Sequence, residues 1–364
     1  MVHWATFALG LTFVVWRNGS QAVFSRHGDT AMLTLNLAHE PDTAIMVRAA
    51  WLYHVGGLTQ EEVAGRLGVH RTRIVRLLSE ARERGLVSVT INHESIRDLD
   101  IEDSIARRYG LDFCLATPAM GFGDADAEPK LAAAQAMIAR RAVGSAAANF
   151  LKGKLAAGRP ITVGVSWGRT LEQMTLHLSG VQNSRARFVS LMGSLTRNSA
   201  SNPFEVVQAL AARTGGEGHF LPVPFIADTI ADRAVLMSQR TVAEALALAQ
   251  SADLYLISVG ELSETAFLRQ QAMLSAAELQ SVRAKGAVAD SLGRLFDRTG
   301  AQIDHELAHR TLALDFERLR ARDVVLLAGG LQKVASVQAL LRTGVVRGLV
   351  IDGDAADRLS AAPA

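Results

Sequence analysis

From residue 113 to the C-terminus, short apolar runs alternate with amphipathic helical stretches, and this alternation limits the possible folds more than any other feature of the chain. The runs are FCLATPAM, ITVGVS, RFVSLMG, HFLPVP, DLYLISVG, VVLLAGG and RGLVID. Continuous apolar runs mark strands buried on both faces, and an intervening helix is the crossover that a parallel pair needs. The expected fold class is therefore α/β, with a parallel sheet covered by helices over residues 113–364. Ligands of such sheets bind beyond the carboxyl ends of the strands. The polar residues that end these runs are the ones to inspect.

Three run ends carry usable chemistry. In Gly164, Val165, Ser166, Trp167, Gly168, Arg169 and Thr170 a strand stops, two glycines allow a close turn, and hydroxyls and a guanidinium gather where a helix starts. Backbone N–H groups, a helix N-terminus and an arginine make an anion cradle, although a tight turn capped by Ser and Thr has the same composition. Trp167 suits either a sugar-stacking platform or a plug for the sheet. At the second end, Gly193 and Ser194 lead into a small polar loop that closes with Asn202. The Asn202 amide fits a vicinal diol and, equally, a helix N-cap. The third end is LLAGGLQK, where Lys333 falls in the first turn of a helix. A cation there opposes the helix dipole unless an anionic partner is present, which is a physical reason to expect a ligand.

Ahead of this region, residues 59–84 (TQEEVAGRLGVHRTRIVRLLSEARER) have the pattern of helix, tight turn and helix. Val63 and Leu67 make one apolar stripe, Ile74, Leu77, Leu78 and Ala81 make another, and Gly68 permits the corner. Thr59 and Glu62 have capping-box spacing. Opposite the second stripe, Thr72, Arg73, Arg76 and Ser79 face outward, as a helix reading a DNA groove requires. An expected helix over residues 43–54, ended by Gly56 and Gly57, precedes this hairpin, and LVSVTI (residues 86–91) reads as a strand, which predicts a winged variant. Seven arginines face four glutamates between residues 48 and 84, a local excess in a chain of formal net charge +2. Any affinity for double-stranded DNA would come from this patch rather than from bulk charge.

These motifs together resemble the SorC family of sugar-responsive bacterial transcription regulators. The resemblance extends over nearly all of the chain after about residue 43. It implies a winged helix-turn-helix domain followed by a sugar-isomerase-like effector domain of the ribose-5-phosphate isomerase and glucosamine-6-phosphate deaminase type. It also implies operator contacts by Thr59, Gln60, His70, Arg71, Thr72, Arg73 and Arg76. An effector, often a sugar phosphate in that family, would lie against the G-x-S-W-G-R-T loop and against Lys333 of A-G-G-x-x-K. Asp290 in KGAVADSLGRLFD (residues 285–297) matches the family's acidic position facing the sugar; a carboxylate accepts two hydroxyls, and a surface ion pair is the plainer alternative. His70 and Val75 depart from the family, which usually has Ser at both places, so the cap of the recognition helix and the operator sequence are individual to this chain.

The remaining features set bounds. A chain of 364 residues requires more than one core, and its single cysteine, Cys114, excludes an internal disulfide and a Cys-rich zinc site. No metal-ligand spacing, Walker loop or nucleophile elbow is present, and no cofactor is expected. The apolar run at residues 4–16 is shorter than the roughly 20 residues that span a bilayer and lacks a preceding basic residue. The expected organisation is a poorly ordered extension at 1–42, with Met32 or Met46 as alternative starts, a DNA-binding domain at 43–93, a linker at 94–112, and an effector and oligomerisation domain at 113–364. The alanine-rich stretch 129–155 is either a subunit contact or a helix packed on its own sheet. The expected protein is a cytoplasmic, homo-oligomeric regulator that binds operator DNA and a small sugar, polyol or sugar phosphate, with no membrane contact and no enzymatic activity. A sugar-phosphate isomerase is the alternative, disfavoured because the histidines are scattered and the DNA-binding unit would have no use.

Overall fold

The computed structural model describes strand residues 13–16, 21–26 and 29–34, together with residues 42–84, 86–87, 99–123, 128–194 and 202–362. The chain divides into two compact units, Met1–Ser88 and Val89–Ala364. In the first, the extension expected to lack order holds three strands, β1 (Phe13–Trp16), β2 (Gln21–Arg26) and β3 (Asp29–Thr34), paired as an antiparallel meander. Val14 lies opposite Phe24, and Val23 opposite Met32. Val, Phe and Trp in these runs favour strands, a preference that the intervening Gly, Asn and Ser obscure in the sequence.

Three helices follow. The first, α1 (Asp42–Ala50), runs on into a π-helical turn, Trp51–Val55, so the helix expected over residues 43–54 is regular only in its first part. Helix α2 (Gln60–Leu67) starts at the predicted capping box, with the Glu62 N–H donating to Thr59 Oγ1 and the Thr59 N–H to the Glu62 carboxylate. It stops at Gly68, whose φ of 63° is left-handed, and α3 (Arg71–Glu83) then crosses back. Ile45, Met46 and Ala49 of α1 pack with Val63, Leu67, Ile74, Leu77 and Leu78 in one core. Of the wing strand expected over residues 86–91, Leu86 and Val87 form a bend and residues 88–91 lie outside the described residues.

The second unit is the expected α/β fold. Its strands are β4 (Phe113–Ala116), β5 (Ile161–Val165), β6 (Ala186–Ser190), β7 (Glu217–His219), β8 (Leu254–Ser258), β9 (Gly260–Glu261), β10 (Ala289–Ser291), β11 (Arg294–Phe296), β12 (Gln302–Ile303), β13 (Val324–Ala328) and β14 (Gly348–Ile351). Seven of them form a parallel sheet in the order β4-β14-β13-β8-β5-β6-β7, and β12-β11-β10-β9 form a small antiparallel sheet. Val163, Val165, Leu256 and Leu327 point to one face, under α5 (Pro129–Ala156) and α6 (Arg169–His177). Tyr255, Ile257, Leu326 and Leu349 point to the other. Burial on both sides is why these strands read as unbroken apolar runs.

Two expectations about this unit are corrected. The run HFLPVP only touches the sheet at His219, and the seventh strand is Glu217–His219; past it the chain makes isolated bridges, Ser194 with Pro224 and Ile226 with Thr311. Its two prolines deny the donors that a ladder needs. The segment expected as a linker contains α4 (Leu99–Tyr109), whose Ile105 is buried in the core of the second unit and whose buried Glu102 accepts from the Ala116 N–H at 2.8 Å. Arg108 donates to the carbonyls of Leu359 and Ala362. Helix α5 packs on α6, closely enough that a Cβ on Gly144 would fall 2.5 Å from Gln173 Cβ. Among the described residues no helix is long and apolar enough to cross a membrane.

Candidate functional site

The strand order reverses between β5 and β8: from β5 the sheet grows through β6 to β7, whereas from β8 it grows through β13 to β14. A crevice opens beyond the carboxyl ends at such a switch point. It is lined by Ser166, Gly168 and Arg169 after β5, Ser258 to Glu261 after β8, Asp290 and Ser291 on β10, and Lys333. The two strand ends are tied together, since the Ser258 N–H donates to Ser166 Oγ at 3.0 Å and Ser258 Oγ to the Trp167 carbonyl at 2.6 Å. Gly168 holds φ 127°, which favours glycine, and turns the chain into α6 with Arg169 at its start. Trp167 is buried against Phe225 and Phe267, with ring centroids at 4.9 and 5.2 Å, so it forms a wall of the crevice and part of the core at once.

The charged groups are arranged as a mixed cluster. Lys333 is buried and donates from Nζ to the Val259 carbonyl at 2.8 Å. Burial pulls its ammonium below the ordinary lysine range, while the carboxylates of Glu261 and Asp290 oppose that pull. Asp290 is pushed up to about 7, first by burial and then by Glu261, with Lys333 acting in the opposite sense. Its carboxylate rests against the backbone of Gly260, where a Cβ would fall 2.0 Å from Asp290 Oδ1. Arg169 lies 3.6 Å from Glu261 and 5.8 Å from the Phe267 ring centroid. Buried donors and acceptors of both signs can hold hydroxyls from several sides, which suits a small polyhydroxy molecule. Among the described residues no group of His, Cys, Asp and Glu could hold a metal ion.

The crevice continues into a second cavity of about 370 Å³, bounded by Phe122 and Gly123, by α5 through Ala136 and Arg140, by the turn Gly330 to Gln332 and by Asp352. Arg169 and Glu261 face both spaces. Asp352 accepts from the Gly330 N–H at 2.6 Å, fixing the turn that carries Lys333. Asp354 accepts from the N–H groups of Met120, Gly121 and Phe122 at 2.8–3.0 Å, fixing the other wall.

Of the residues singled out in the sequence, Ser166, Trp167, Gly168, Arg169, Asp290 and Lys333 meet in this one place. Gly164 lies within β5, packed against Leu191, and Thr170 is buried in the first turn of α6. Gly193, Ser194 and Asn202 are elsewhere, because β6 is one strand removed from the crevice. The Gly193 N–H bonds to the Leu312 carbonyl, and Asn202 caps α7 (Pro203–Thr214) by accepting from the Phe204 N–H and the Ser194 hydroxyl. Glu261, Gly260 and Arg140 went unread. Glu261 directly follows the run DLYLISVG, and its position was the available signal; Arg140 sits on a helix 20 or more residues from any strand end in sequence, with no local signal at all.

On the first unit, Arg71, Thr72, Val75, Arg76 and Ser79 of α3 are exposed. Arg73 is not: it is half-buried and pairs with Asp42 of α1 at 2.6 Å, holding that carboxyl below the usual range. Arg71 lies 3.9 Å from Glu61 in an exposed pair. His70 occupies the N-cap position of α3 without a side-chain cap bond, the consequence expected of a residue less suited to capping than Ser.

A helix-turn-helix unit with an outward-facing arginine helix, followed in the chain by a ligand-binding sheet of the switch-point type, defines a ligand-responsive DNA-binding regulator. The family model described as "Putative sugar-binding domain" matches residues 93–360. The chain is 34% identical over 324 residues to the erythritol catabolism regulatory protein EryD of Brucella abortus, covering 89% of this chain and 98% of that one. It is 25% identical over 327 residues to the sorbitol operon regulator of Klebsiella pneumoniae, covering 89% and 99%. The full-length SorC structure from Klebsiella pneumoniae shares the fold, with a TM-score of 0.63 over 88% of this chain and 99% of its own at 22% identity. The chain belongs to the SorC family of sugar-binding transcriptional regulators. It is a sugar-responsive, DNA-binding regulator of transcription.

Proposed function

We propose that a small polyol or sugar, free or phosphorylated, binds in the crevice between β5 and β8 and thereby sets the affinity of α3 for operator DNA. The observation that carries this reading is the convergence of Arg169, Glu261, Asp290 and Lys333 on one buried space at the switch point. Two of the relatives are named for the catabolism or operon of a polyol, erythritol and sorbitol, and this supports a polyol over an aldose. Arg71, Thr72 and Arg76 are the groups offered to the major groove, with Thr59, Gln60 and His70 beside them and Arg73 positioning α3 through Asp42. Operators are commonly read by paired helices, so the working form is a homo-oligomer of at least two chains, acting in the cytoplasm.

The mechanism is linkage. A ligand with different affinities for the operator-competent and operator-incompetent states shifts their ratio by that difference alone. A thermal-shift screen of the full chain with C4–C6 polyols, their phosphomonoesters and the parent sugars tests the ligand class, because binding to the folded state raises the melting temperature. At least one polyol or its phosphate is expected to stabilise the chain, and to lose that effect in Lys333→Ala. Stabilisation that survives Lys333→Ala and Asp290→Asn would place the ligand elsewhere.

A further inference from the structure

Val75 is the one apolar side chain on the exposed side of α3. It is 44% exposed, whereas its neighbour Ile74 is wholly buried. Ile74, Leu77, Leu78 and Ala81 supply the part of the core that α3 contributes, and Val75 adds nothing to it. Helix formation does not account for it either, because a β-branched side chain loses rotamer freedom in a helix and Ala, Leu or Arg would serve better. A single exposed apolar residue is ordinary on most surfaces. The neighbours of this one set it apart. Arg71 stands one turn before it, Arg76 directly after it and Ser79 one turn beyond, and all three are exposed. Ser79 donates its hydroxyl to the Glu83 carboxylate at 3.2 Å, and Arg82 turns its Nε back to the Leu78 carbonyl at 3.4 Å. Within this stretch of α3, Val75 therefore presents methyl groups where the residues around it present donors.

Major-groove chemistry gives such a side chain one partner. Guanine presents acceptors there, cytosine a donor and adenine both, and thymine alone adds a methyl group, at C5. A valine has no donor and no acceptor, so against any other base edge it strips water from a polar group and returns no hydrogen bond. Against thymine it covers one methyl group with others, a burial that changes affinity about fourfold for each methyl removed from water. The arginines on either side supply the attraction to phosphate and guanine that holds the helix in the groove. A side chain without hydrogen bonds can then discriminate between bases, since its register is already fixed.

We infer that Val75 is a specificity-determining residue of α3, which selects a thymine in each operator half-site through contact with the thymine 5-methyl group. This rests on the proposed reading of α3 as the helix offered to the major groove.

The test begins with the full chain enriching duplexes from a random-sequence DNA library. The best-bound duplex is then remade with deoxyuridine in place of one thymine at a time, a change that keeps the pairing and removes only the methyl group. Fluorescence anisotropy compares the natural protein, Val75→Ser and Val75→Thr on these duplexes. In the natural protein, one deoxyuridine position in each half-site is expected to weaken binding about fourfold. Val75→Ser should bind the thymine and deoxyuridine duplexes alike, and Val75→Thr, which keeps one methyl group, should keep part of the difference. 5-Methylcytosine at the same position should bind the natural protein more weakly than thymine, because its amino group meets Val75 without an acceptor; equal binding would overturn the selection of thymine. The three proteins are expected to melt alike, since the side chain is exposed. A melting point lower by several degrees in Val75→Ser would make Val75 a structural residue and overturn the inference. So would a natural protein indifferent to deoxyuridine at every position, or a penalty undiminished in Val75→Ser, and either result leaves α3 as the reading helix. An Arg76→Ala protein that holds the enriched duplex as tightly as the natural one would remove that reading of α3, and this inference with it.

Discussion

Asp290 is where burial, a like charge and an opposite charge meet in one side chain. Its carboxyl is raised from 3.8 to about 7 by burial first and Glu261 second, against Lys333. The folded chain holds this proton more tightly than the unfolded chain, so the stability it contributes is full below about pH 4 and is lost as the pH rises through about 7. Asp290→Asn should therefore melt higher than the natural protein at pH 8, by roughly 2–4 °C for each kcal/mol relieved. The gap should narrow toward pH 5 and close only near pH 4, and scanning fluorimetry from pH 8 down to 4 checks it; a gap independent of pH would remove Asp290 as its source. On α3, Arg76→Ala should weaken operator binding at unchanged melting temperature, whereas Arg73→Ala should lower both, because Arg73 is held by Asp42. Electrophoretic mobility shifts and melting curves on the two variants separate these outcomes. Lys333 was legible in the sequence because a cation in the first turn of a helix is an anomaly by itself. Arg140 was not, since its place on the cavity wall depends on where a 28-residue helix crosses a distant strand end.

At the scale of elements, the site depends on a small sheet that the sequence did not disclose. Strands β10 and β11 form a hairpin whose turn places Leu292 at φ 50° and Gly293 at φ 72°. The sequence S-L-G-R lacks the Asn-Gly or Asp-Gly signal of such turns, so the stretch bearing Asp290 read as a resemblance and not as a hairpin. Pairing of β10 with β9 sets Asp290 opposite Gly260. Gly260→Ala should displace the carboxylate and lower polyol affinity by tenfold or more while far-ultraviolet circular dichroism stays unchanged; retained affinity would show that the carboxylate does not take part. The parallel strands were legible for the opposite reason, because burial on both faces leaves an apolar run that needs no turn chemistry to be recognised. The run HFLPVP is apolar for a different purpose: Leu221 and Val223 fill a satellite core with Leu312 and Val242. Apolar character marks burial, and only topology distinguishes a strand from a packed loop.

For the whole molecule, two units serve two ligands, and regulation requires a free-energy coupling between them. The helix-turn-helix pattern and the strand-helix alternation were each local, hence readable; the coupling is a property of states and leaves no motif. A coupling of 1–3 kcal/mol, the usual range, corresponds to a change of roughly five- to 150-fold in operator affinity. Reciprocity then requires operator DNA to change effector affinity by the same factor. The most direct test is fluorescence anisotropy of labelled operator DNA with the full chain, with and without a saturating ligand from the thermal-shift screen, for the natural protein and Lys333→Ala. Saturating ligand is expected to change operator affinity about fivefold or more in the natural protein and to leave it unchanged in Lys333→Ala, whose ligand-free operator affinity should match that of the natural protein. Ligand binding that leaves operator affinity unaltered, or a shift that persists in Lys333→Ala, would rule out coupling through the crevice.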